Sequence, residues 1–211
     1  MADFQRFLMA FCAGSTPTCH FCAIVPSKFF PYPNPGGNNM DDPSTRLFAY
    51  LDKLGIDVST VEHAPLFTVE ESQALRGDLS GMHSKNLFLK DKKGALWLVV
   101  AEEERQIRLN HLHKKLGCNR LSFGNADLLK QVLDVLPGSV TPFALINDQE
   151  KQVNVAFDRA FFTSENTLLN FHPLRNDRTT AISPAGLMKF VTSLGYQPQM
   201  LDLEEEFADS D

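Results

Sequence analysis

The feature that most constrains the fold is a pair of strand-like runs with only four residues between them. Residues 85–90 and 95–101 are both centred on apolar side chains, and the connecting sequence Asp-Lys-Lys-Gly at 91–94 is a turn signal. So short a connection can join antiparallel neighbours, whereas parallel neighbours need a crossover of about a dozen residues or more. The chain is therefore predicted to contain a β-hairpin, and a doubly wound parallel sheet is disfavoured.

Further helices and strands are predicted on either side of this hairpin. Residues 43–54 place Leu47, Leu51 and Leu54 on one helical face and end at Gly55, a common helix terminator. The predicted helices are 43–54, 68–75 with a capping box at Thr68, 106–116, 126–133, and a last one that starts at Ser183 and ends at Gly195. The other predicted strands are 58–63, a second hairpin of 143–146 with 152–157, and a third pairing of 168–171 with 179–182. These elements predict an α/β (α+β) fold with a mixed, largely antiparallel sheet and surrounding helices.

Both ends of the 211-residue chain differ in composition from its middle. Residues 1–39 end in a linker rich in Pro, Gly and Asn, and Met40 follows directly, so we expect a disordered extension or a mis-assigned start. The apolar patch 7–13 is too short and too poorly flanked for a convincing secretion signal. Residues 202–211 form an acidic tail with six acids and no base, so the folded domain is expected to span 40–201.

The overall charge is a misleading guide to the partners of the chain. A net charge of −6 argues against binding nucleic acid, but the acidic tail accounts for all of it, and residues 1–201 are neutral overall. Residues 85–120 carry nine Lys and Arg against four Asp and Glu, which suits a phosphate-binding face and equally an ordinary soluble surface. No apolar run approaches the roughly 18 residues of a membrane-spanning helix, so no membrane partner is expected.

Cysteine usage and the absence of familiar motifs narrow the chemistry further. Three of the four cysteines lie in the first 22 residues, so the main body has no internal disulfide pair and a reducing, cytoplasmic setting is expected. The Cys-His-Phe-Cys sequence at 19–22 lacks the second pair that a zinc site requires, and His111 and His113 would point to different sides of a helix. The Glu-Glu-Glu run at 102–104 suits a helix N-terminus. No metal and no cofactor is therefore predicted, and the common nucleotide-binding and serine-hydrolase motifs are absent.

Lys85 is the most suggestive single residue. It is predicted to stand between the loop 81–84 and an apolar strand, although a strand-end lysine is more often a solvated edge residue. Three segments accompany it: Ser-Lys-Asn-Leu-Phe-Leu-Lys-Asp at 84–91, Leu-Pro-Gly-Ser-Val-Thr-Pro-Phe-Ala-Leu at 136–145 and Asn-Phe-His-Pro-Leu-Arg-Asn-Asp at 170–177. In this order and spacing they resemble the prolyl-tRNA synthetase-associated (YbaK/prolyl-tRNA editing) family of freestanding aminoacyl-tRNA deacylases, over roughly residues 43–201.

This resemblance implies a YbaK/prolyl-tRNA-editing-like fold and hydrolysis of the ester that joins a wrong amino acid to the end of a tRNA. It implies that Lys85 holds the terminal adenosine or the ester carbonyl, that backbone N–H groups near Gly138 approach the carbonyl oxygen, and that His172 lines the amino-acid pocket. The substrate-binding residues that it implies are Ser84, Asn86, Thr141, Pro142 and Asp177. Taken alone, a Gly before Thr-Pro is usually a turn, and a single His is usually structural.

The choice of substrate also depends on the resemblance. The Phe-His-Pro and Asn-Asp-Arg sequences are most like the branch that hydrolyses Ala-tRNA(Pro), and no synthetase catalytic or anticodon-binding part is recognisable, which indicates action in trans. The expected partner is the acceptor end of mischarged tRNA(Pro), with prolyl-tRNA synthetase or an elongation factor as further partners. Two alternatives remain open: a deacylase for Cys-, Ser- or Thr-charged tRNA, and a module that binds tRNA or the synthetase without cleaving an ester.

Overall fold

The computed structural model describes residues 42–64 and 80–203. The expected extension 1–39, the predicted helix 68–75 and the part of the acidic tail beyond residue 203 lie outside the described residues. The described residues all belong to one compact unit, 39–211. Within them, no helix is long and apolar enough to cross a membrane.

Eight strands form a mixed sheet in the described part of the chain. They are β1 Val58–Glu62, β2 Met82–Asp91, β3 Leu96–Glu102, β4 Leu121–Phe123, β5 Val153–Asp158, β6 Leu169–Phe171, β7 Arg178–Ile182 and β8 Gln199–Leu201. The order across the sheet is β1-β7-β6-β2-β3-β5-β8, and β4 pairs with β2 off this path. Four pairings are antiparallel, and those of β2 with β6, β3 with β5 and β5 with β8 are parallel. The prediction of a mixed, largely antiparallel sheet with helices is therefore confirmed.

Four α-helices and two short 3₁₀ helices accompany this sheet within the described ranges. The α-helices are α1 Pro43–Lys53, α2 Leu109–Lys115, α3 Ala126–Leu133 and α4 Pro184–Ser193, and the 3₁₀ helices are Pro142–Ile146 and Arg159–Phe162. The helices α1, α3 and α4 begin where predicted, because the side chains of Asp42, Asn125 and Ser183 accept hydrogen bonds from first-turn amides. The helix α2 begins three residues later than predicted, after Arg108, which makes no side-chain cap. Of the acids 102–104, the first therefore ends β3 and the other two form the turn that follows it, so none lies at a helix N-terminus.

The first hairpin forms as predicted, with β2 and β3 antiparallel. Its turn is organised by Asp91, whose carboxylate is buried and accepts from the backbone amides of Lys93 at 2.8 Å and Ala95 at 2.9 Å. Residues 82–84, which were expected in a loop, belong to β2 because they pair with β6 and β3. Lys85 is consequently the fourth residue of the strand and not its first.

The second predicted hairpin is wrong. Its first half is the 3₁₀ helix Pro142–Ile146, which Pro142 favours with its fixed φ and which the Thr141 hydroxyl caps by accepting from the Phe143 amide at 3.3 Å. Its second half is β5, which pairs in parallel with β3 and β8. A short apolar run that is buried on all sides shows no alternation, so periodicity cannot separate a helical turn from a strand. The three-residue strands β4 and β8 are also too short to show a pattern.

Apolar side chains pack against both faces of the sheet. The larger cluster contains buried residues of α1, α3, α4 and the 3₁₀ helix Pro142–Ile146, and its ring contacts join Phe143 to Phe171 at 5.8 Å and to Phe190 at 5.6 Å. The smaller cluster contains Trp97 of β3 and Leu112 of α2. Because successive strand residues point to opposite faces, β2 and β3 contribute alternate side chains to the two clusters.

Candidate functional site

The sheet divides along one edge of β2. The edge that faces β3 is paired continuously over residues 84–90. On the opposite edge, residues 82–83 pair with β6 and residues 89–91 pair with β4. On this opposite edge, residues 84–87 lie between the two pairings and have no strand partner among the described residues. Such a division leaves main-chain groups and side chains accessible to a ligand, as at the switch points where ligands bind to other sheets.

Three of the predicted site residues, Ser84, Lys85 and Asn86, lie in this opening of β2. Asn86 Nδ2 donates to Ser84 Oγ at 3.4 Å, and Ser84 Oγ donates to the carbonyl of Asn170 in β6, also at 3.4 Å. The Oδ1 atoms of Asn86 and Asn170 are buried and accept no hydrogen bond from residues 42–64 or 80–203. A buried acceptor without a donor is costly, and it is the kind of group that a bound ligand satisfies. Asn86 and Asn170 each carry such an acceptor beside the opening, on opposite faces of the sheet.

The Lys85 side chain is half-buried and has a defined partner. Its Nζ donates to the main-chain carbonyl of Arg105, in the segment that follows β3. Burial lowers the pKa of the Lys85 amine from its ordinary value, while the nearby carboxylates of Glu102 and Glu103 oppose this effect. Lys85 is four residues from Leu89, so it lies on the same face of β2 as the smaller apolar cluster.

His172 lies directly after β6, beside the opening. His83 of β2 pairs with Asn170 of β6, and the two strands run in parallel. Lys85 and His172 each come two residues later, beyond the last paired position, where the two strands part. The Nδ1 atom of His172 lies 3.0 Å from the carbonyl of Arg178. A carbonyl can only accept, so Nδ1 carries a hydrogen, and Nε2 is the acceptor of the neutral ring.

His63 is a neighbour of His172 that the sequence analysis did not single out as a site residue. The two imidazole rings meet edge to face with centroids 6.2 Å apart. The ring of His63 is held by the carbonyl of Ala64 at 2.9 Å from Nδ1 and by Thr179 Oγ1 at 2.9 Å from Nε2. The antiparallel pairing of β1 with β7 brings His63 here, and this long-range pairing leaves no local signal in the sequence.

A cluster of charged residues holds the loop that follows His172. Arg175 forms two hydrogen bonds to the carboxylate of Asp177, and it lies 3.6 Å from Asp42, as does Arg178. The guanidinium of Arg175 lowers the pKa of the Asp177 carboxyl. Within the same loop Leu174 is buried at a φ of +68°, a conformation that is rare for a branched side chain. The loop thus has a single geometry, imposed by ion pairs and by packing.

The predicted loop around Gly138 lies between α3 and the 3₁₀ helix Pro142–Ile146. Gly138 is exposed with a φ of +89°, and an added Cβ would have no neighbour within 4 Å. Thr141 and Pro142 are buried, so they support the loop from inside, and the Thr141 hydroxyl is used in capping. This loop reaches the His172 region indirectly, since Phe143 packs against Phe171. The structure thus places Ser84, Lys85 and Asn86 on β2 and His172 after β6, all beside the same opening, with Lys85 on one face of the sheet and Ser84 and Asn86 on the other. Gly138 is connected to this region through the apolar core.

A basic groove of about 600 Å³ begins next to the Lys85 contact. Gln106 and Ile107 follow Arg105 directly and line its first part, and Arg108, His111 and Lys115 line the rest together with β8 and residues 202–203. Lys115 Nζ donates to the carbonyl of Asp202 at 2.6 Å. His111 is exposed and His113 half-buried, and residues 42–64 and 80–203 contain no group of side chains arranged to hold a metal ion.

Comparison with known proteins identifies the family. A family model described as the aminoacyl-tRNA editing domain matches residues 63–190, which contain every predicted site residue. The chain belongs to the aminoacyl-tRNA editing domain family. Among curated members, the prolyl-tRNA synthetase associated domain-containing protein 1 of Danio rerio is 37% identical over 155 residues, covering 74% of this chain and 84% of the relative. The prolyl-tRNA editing protein ProX of Acetoanaerobium sticklandii is 34% identical over 163 residues, covering 77% and 98%.

A solved structure supports the same fold for this editing-domain chain. A protein proposed as a trans-editing enzyme for prolyl tRNA synthetase superposes with a TM-score of 0.58 at 18% sequence identity. The match covers 78% of this chain and 98% of the other. The predicted YbaK/prolyl-tRNA-editing-like fold is therefore confirmed.

Proposed function

We propose that this editing-domain protein is a freestanding aminoacyl-tRNA deacylase that hydrolyses Ala-tRNA(Pro) in trans. The observation that carries the proposal is the opening in the sheet beside β2, which Lys85, Asn86 and His172 border. The names of its relatives, which refer to prolyl-tRNA editing and to association with prolyl-tRNA synthetase, support a mischarged tRNA(Pro) as the substrate. Prolyl-tRNA synthetase or an elongation factor would be the protein partner that hands over or competes for this tRNA.

Lys85 would hold the reacting end of the tRNA. A lysine ammonium is a compact positive charge that attracts a phosphate or the oxygen of a polarised carbonyl. Its contact with the carbonyl of Arg105 keeps it ordered at the opening before substrate arrives. Such preorganisation lowers the cost of orienting the ester for attack.

Water would be the nucleophile in this reaction. An aminoacyl ester is already activated, so its hydrolysis needs positioning and stabilisation of the oxyanion more than a strong nucleophile. Backbone N–H groups of the turn at Gly138 are the proposed donors to the carbonyl oxygen, since the exposed turn has no Cβ to prevent a close approach. A hydroxyl of the terminal ribose would assist the attacking water.

His172 would line the space for the amino acid and contribute to selection by size. Its ring is held by the Arg178 carbonyl and by contact with His63, so it forms a rigid wall. A rigid wall can exclude a cognate prolyl group and admit the smaller alanyl group, as a second sieve does. The acceptor of Asn170, two residues before His172, is suited to the ammonium group of the amino acid.

The basic groove would receive phosphates of the acceptor strand. It adjoins the segment whose Arg105 carbonyl binds Lys85, so an RNA strand that ends at Lys85 could continue past Arg108 and Lys115. Contacts to phosphate supply affinity without sequence information. This placement accounts for a positive region in a chain whose net charge is −6.

The test is the loss of the ester from labelled Ala-tRNA(Pro) with purified protein, compared with buffer alone. Lys85→Ala is expected to lower kcat/KM by about 100-fold, because it removes the positioned cation at the reacting centre. Lys90→Ala is the matched control, since Lys90 is an exposed lysine of the same strand, five residues from Lys85 and paired with Ser122 of β4. It should retain the wild-type rate.

The outcomes separate the alternatives that the sequence left open. Faster hydrolysis of Cys-, Ser- or Thr-charged tRNA than of Ala-tRNA(Pro) would make the protein a deacylase with a different substrate. Binding of tRNA without ester loss would make it a binding module. Full activity in Lys85→Ala would refute the role given to Lys85.

A further inference from the structure

We infer that Arg105 and Asp158 are positioning residues that set the location of the Lys85 ammonium. The inference rests on the proposed function for the importance of Lys85 in hydrolysis. The contacts themselves lie wholly within the described residues and do not depend on that function. Neither residue was singled out by the sequence analysis.

The first step is the contact between Lys85 and Arg105. Lys85 Nζ donates to a main-chain carbonyl, so the position of the ammonium depends on the position of the backbone at residue 105. This backbone belongs to a tight turn after β3, in which the Arg105 amide donates to the carbonyl of Glu102 at 3.2 Å. Exposed turns of this kind are among the more mobile parts of a protein unless side chains fix them.

The second step is the carboxylate that fixes this turn. Asp158, at the end of β5, is only 1% exposed. Its Oδ2 accepts from Arg105 Nε at 3.1 Å and from the backbone amide of Glu102 at 3.4 Å, so it binds both ends of the turn. Its Oδ1 accepts from the amide of Ala160 at 3.0 Å. One buried carboxylate thus connects β5 to the turn that holds Lys85.

The register of the sheet supports the same connection. Lys85 of β2 lies opposite Ala101 of β3, and Val100 of β3 lies opposite Phe157 of β5. Lys85, Ala101 and Asp158 are therefore consecutive positions across three neighbouring strands. The Arg105 side chain binds Asp158 at one end of this row, and the Arg105 carbonyl binds Lys85 at the other. Loss of the ion pair is therefore expected to move the carbonyl that holds Lys85.

A buried ion pair need not stabilise the fold. The effect of Arg105 and Asp158 on the position of Lys85 can therefore be separated from any effect on stability. Burying a carboxylate costs free energy that its partner offsets, and well-packed apolar groups often replace such pairs without loss. Asp91 provides a matched comparison, because it is a buried carboxylate that organises a turn at the other end of β2. It lies six residues from Lys85, or about 20 Å along an extended strand.

The experiment compares four variants of the full chain: Arg105→Met, Arg105→Lys, Asp158→Asn and Asp91→Asn. For each, the measurements are Tm, kcat and KM for Ala-tRNA(Pro), and the ¹⁵N NMR signal of the Lys85 ammonium, assigned by its absence in Lys85→Ala. A hydrogen-bonded ammonium exchanges its protons slowly enough to be seen, whereas a mobile one does not. Activity thus reports the function and the NMR signal reports the position of the lysine.

Arg105→Met and Asp158→Asn are expected to abolish the ammonium signal and to lower kcat by about 10- to 100-fold with little change in KM. Arg105→Lys restores a cation beside Asp158, so it should recover most of the ammonium signal and most of kcat. Asp91→Asn should lower Tm but leave the signal and kcat unchanged. If Asp158→Asn does not fold, Arg105→Met carries the test alone, since its side chain is 21% exposed.

Two results would overturn the inference. One is a wild-type ammonium signal and kcat in folded Arg105→Met. The other is an equal loss of both in Asp91→Asn, which would reduce the effect to general destabilisation. If the wild-type protein hydrolyses no ester, the proposed function fails, and the NMR comparison alone decides whether Arg105 and Asp158 position Lys85.

Discussion

At the scale of single residues, Asp177 links the charged loop to the rest of the candidate site. Its carboxylate binds Arg175, and its main-chain carbonyl accepts from the amide of His63 at 2.9 Å. His63 in turn contacts the ring of His172. One residue therefore joins the loop that carries His172 to the end of β1, and its charge state matters for both.

The ionisation of Asp177 predicts how stability depends on pH. The Arg175 guanidinium holds the pKa of this carboxyl below its ordinary value of 3.8. A carboxyl whose pKa is lower in the folded state stabilises the fold above its unfolded pKa, and the contribution is lost as the pH falls through the folded pKa. Asp177→Asn should therefore lower the free energy of unfolding by about 1 kcal/mol at pH 7. The difference from wild type should begin to shrink as the pH falls to about 4 and should vanish only below the lowered folded pKa.

Urea unfolding of both proteins between pH 7 and pH 3 measures this effect. Asp57→Asn, at an exposed carboxylate after α1, controls for the loss of one negative charge. Curves that run parallel over the whole pH range would show that the ion pair contributes nothing that depends on ionisation.

At the scale of elements, β2 is the strand on which the site depends, because it pairs with β3, β4 and β6. Its first residues are held against β6 by close backbone contact. The Met82 amide donates to the carbonyl of Leu168 at 2.8 Å, and Gly81 precedes it with a φ of +116°. A Cβ at position 81 would lie 2.5 Å from the oxygen of Leu168, which is closer than atoms approach in folded proteins.

Gly81→Ala is therefore expected to separate β2 from β6. We expect a loss of at least about 2 kcal/mol in the free energy of unfolding, from backbone strain and steric overlap together. Gly94→Ala is the matched control, since Gly94 has a φ of +93° but no atom within 4 Å of an added Cβ. It should cost only the strain, about 1 kcal/mol. Thermal unfolding of both variants measures this difference. Equal losses in the free energy of unfolding would refute the steric argument.

Local patterns predicted most elements and only part of the site. Leu47 and Leu51 mark α1, and the turn before Gly94 marks the first hairpin, because these signals lie within a few neighbouring residues. The run 143–146 was wrongly predicted to be a strand, because it is buried on every side and has no polar face to reveal its helical period. The position of Asp158 depends on a parallel pairing, which is invisible to any local pattern.

The same limit applies to the candidate site. Lys85, His172 and Gly138 were found through a resemblance of whole segments, while the chemistry of each residue alone favoured an ordinary structural role. The structure adds the division of the sheet, beside which both Lys85 and His172 lie. His63 and Arg105 act through contacts between residues distant in sequence or through the main chain, so their side-chain types carried no signal.

At the scale of the whole molecule, the domain is proposed to be complete without residues 1–39. A chain that starts at Met40 is expected to keep the Tm of the full chain within about 2 °C and the same rate of ester hydrolysis, because the two apolar clusters of the described residues are built from residues 47–203. Calorimetry and the deacylation assay on both chains measure this. A large drop in Tm, or loss of hydrolysis, would show that the first 39 residues belong to the working domain.

The division of the sheet also determines the order in which parts of the molecule can form. The hairpin of β2 and β3 closes over four residues, whereas His83 pairs with Asn170 and Val58 with Ile182. Closing such long loops costs chain entropy before the contacts that they allow can stabilise the chain. The pairings around the opening should therefore form late in folding. Trp97, the only tryptophan, lies in the early hairpin. Its fluorescence therefore reports a folded hairpin, and a preparation with native fluorescence can still lack an assembled site.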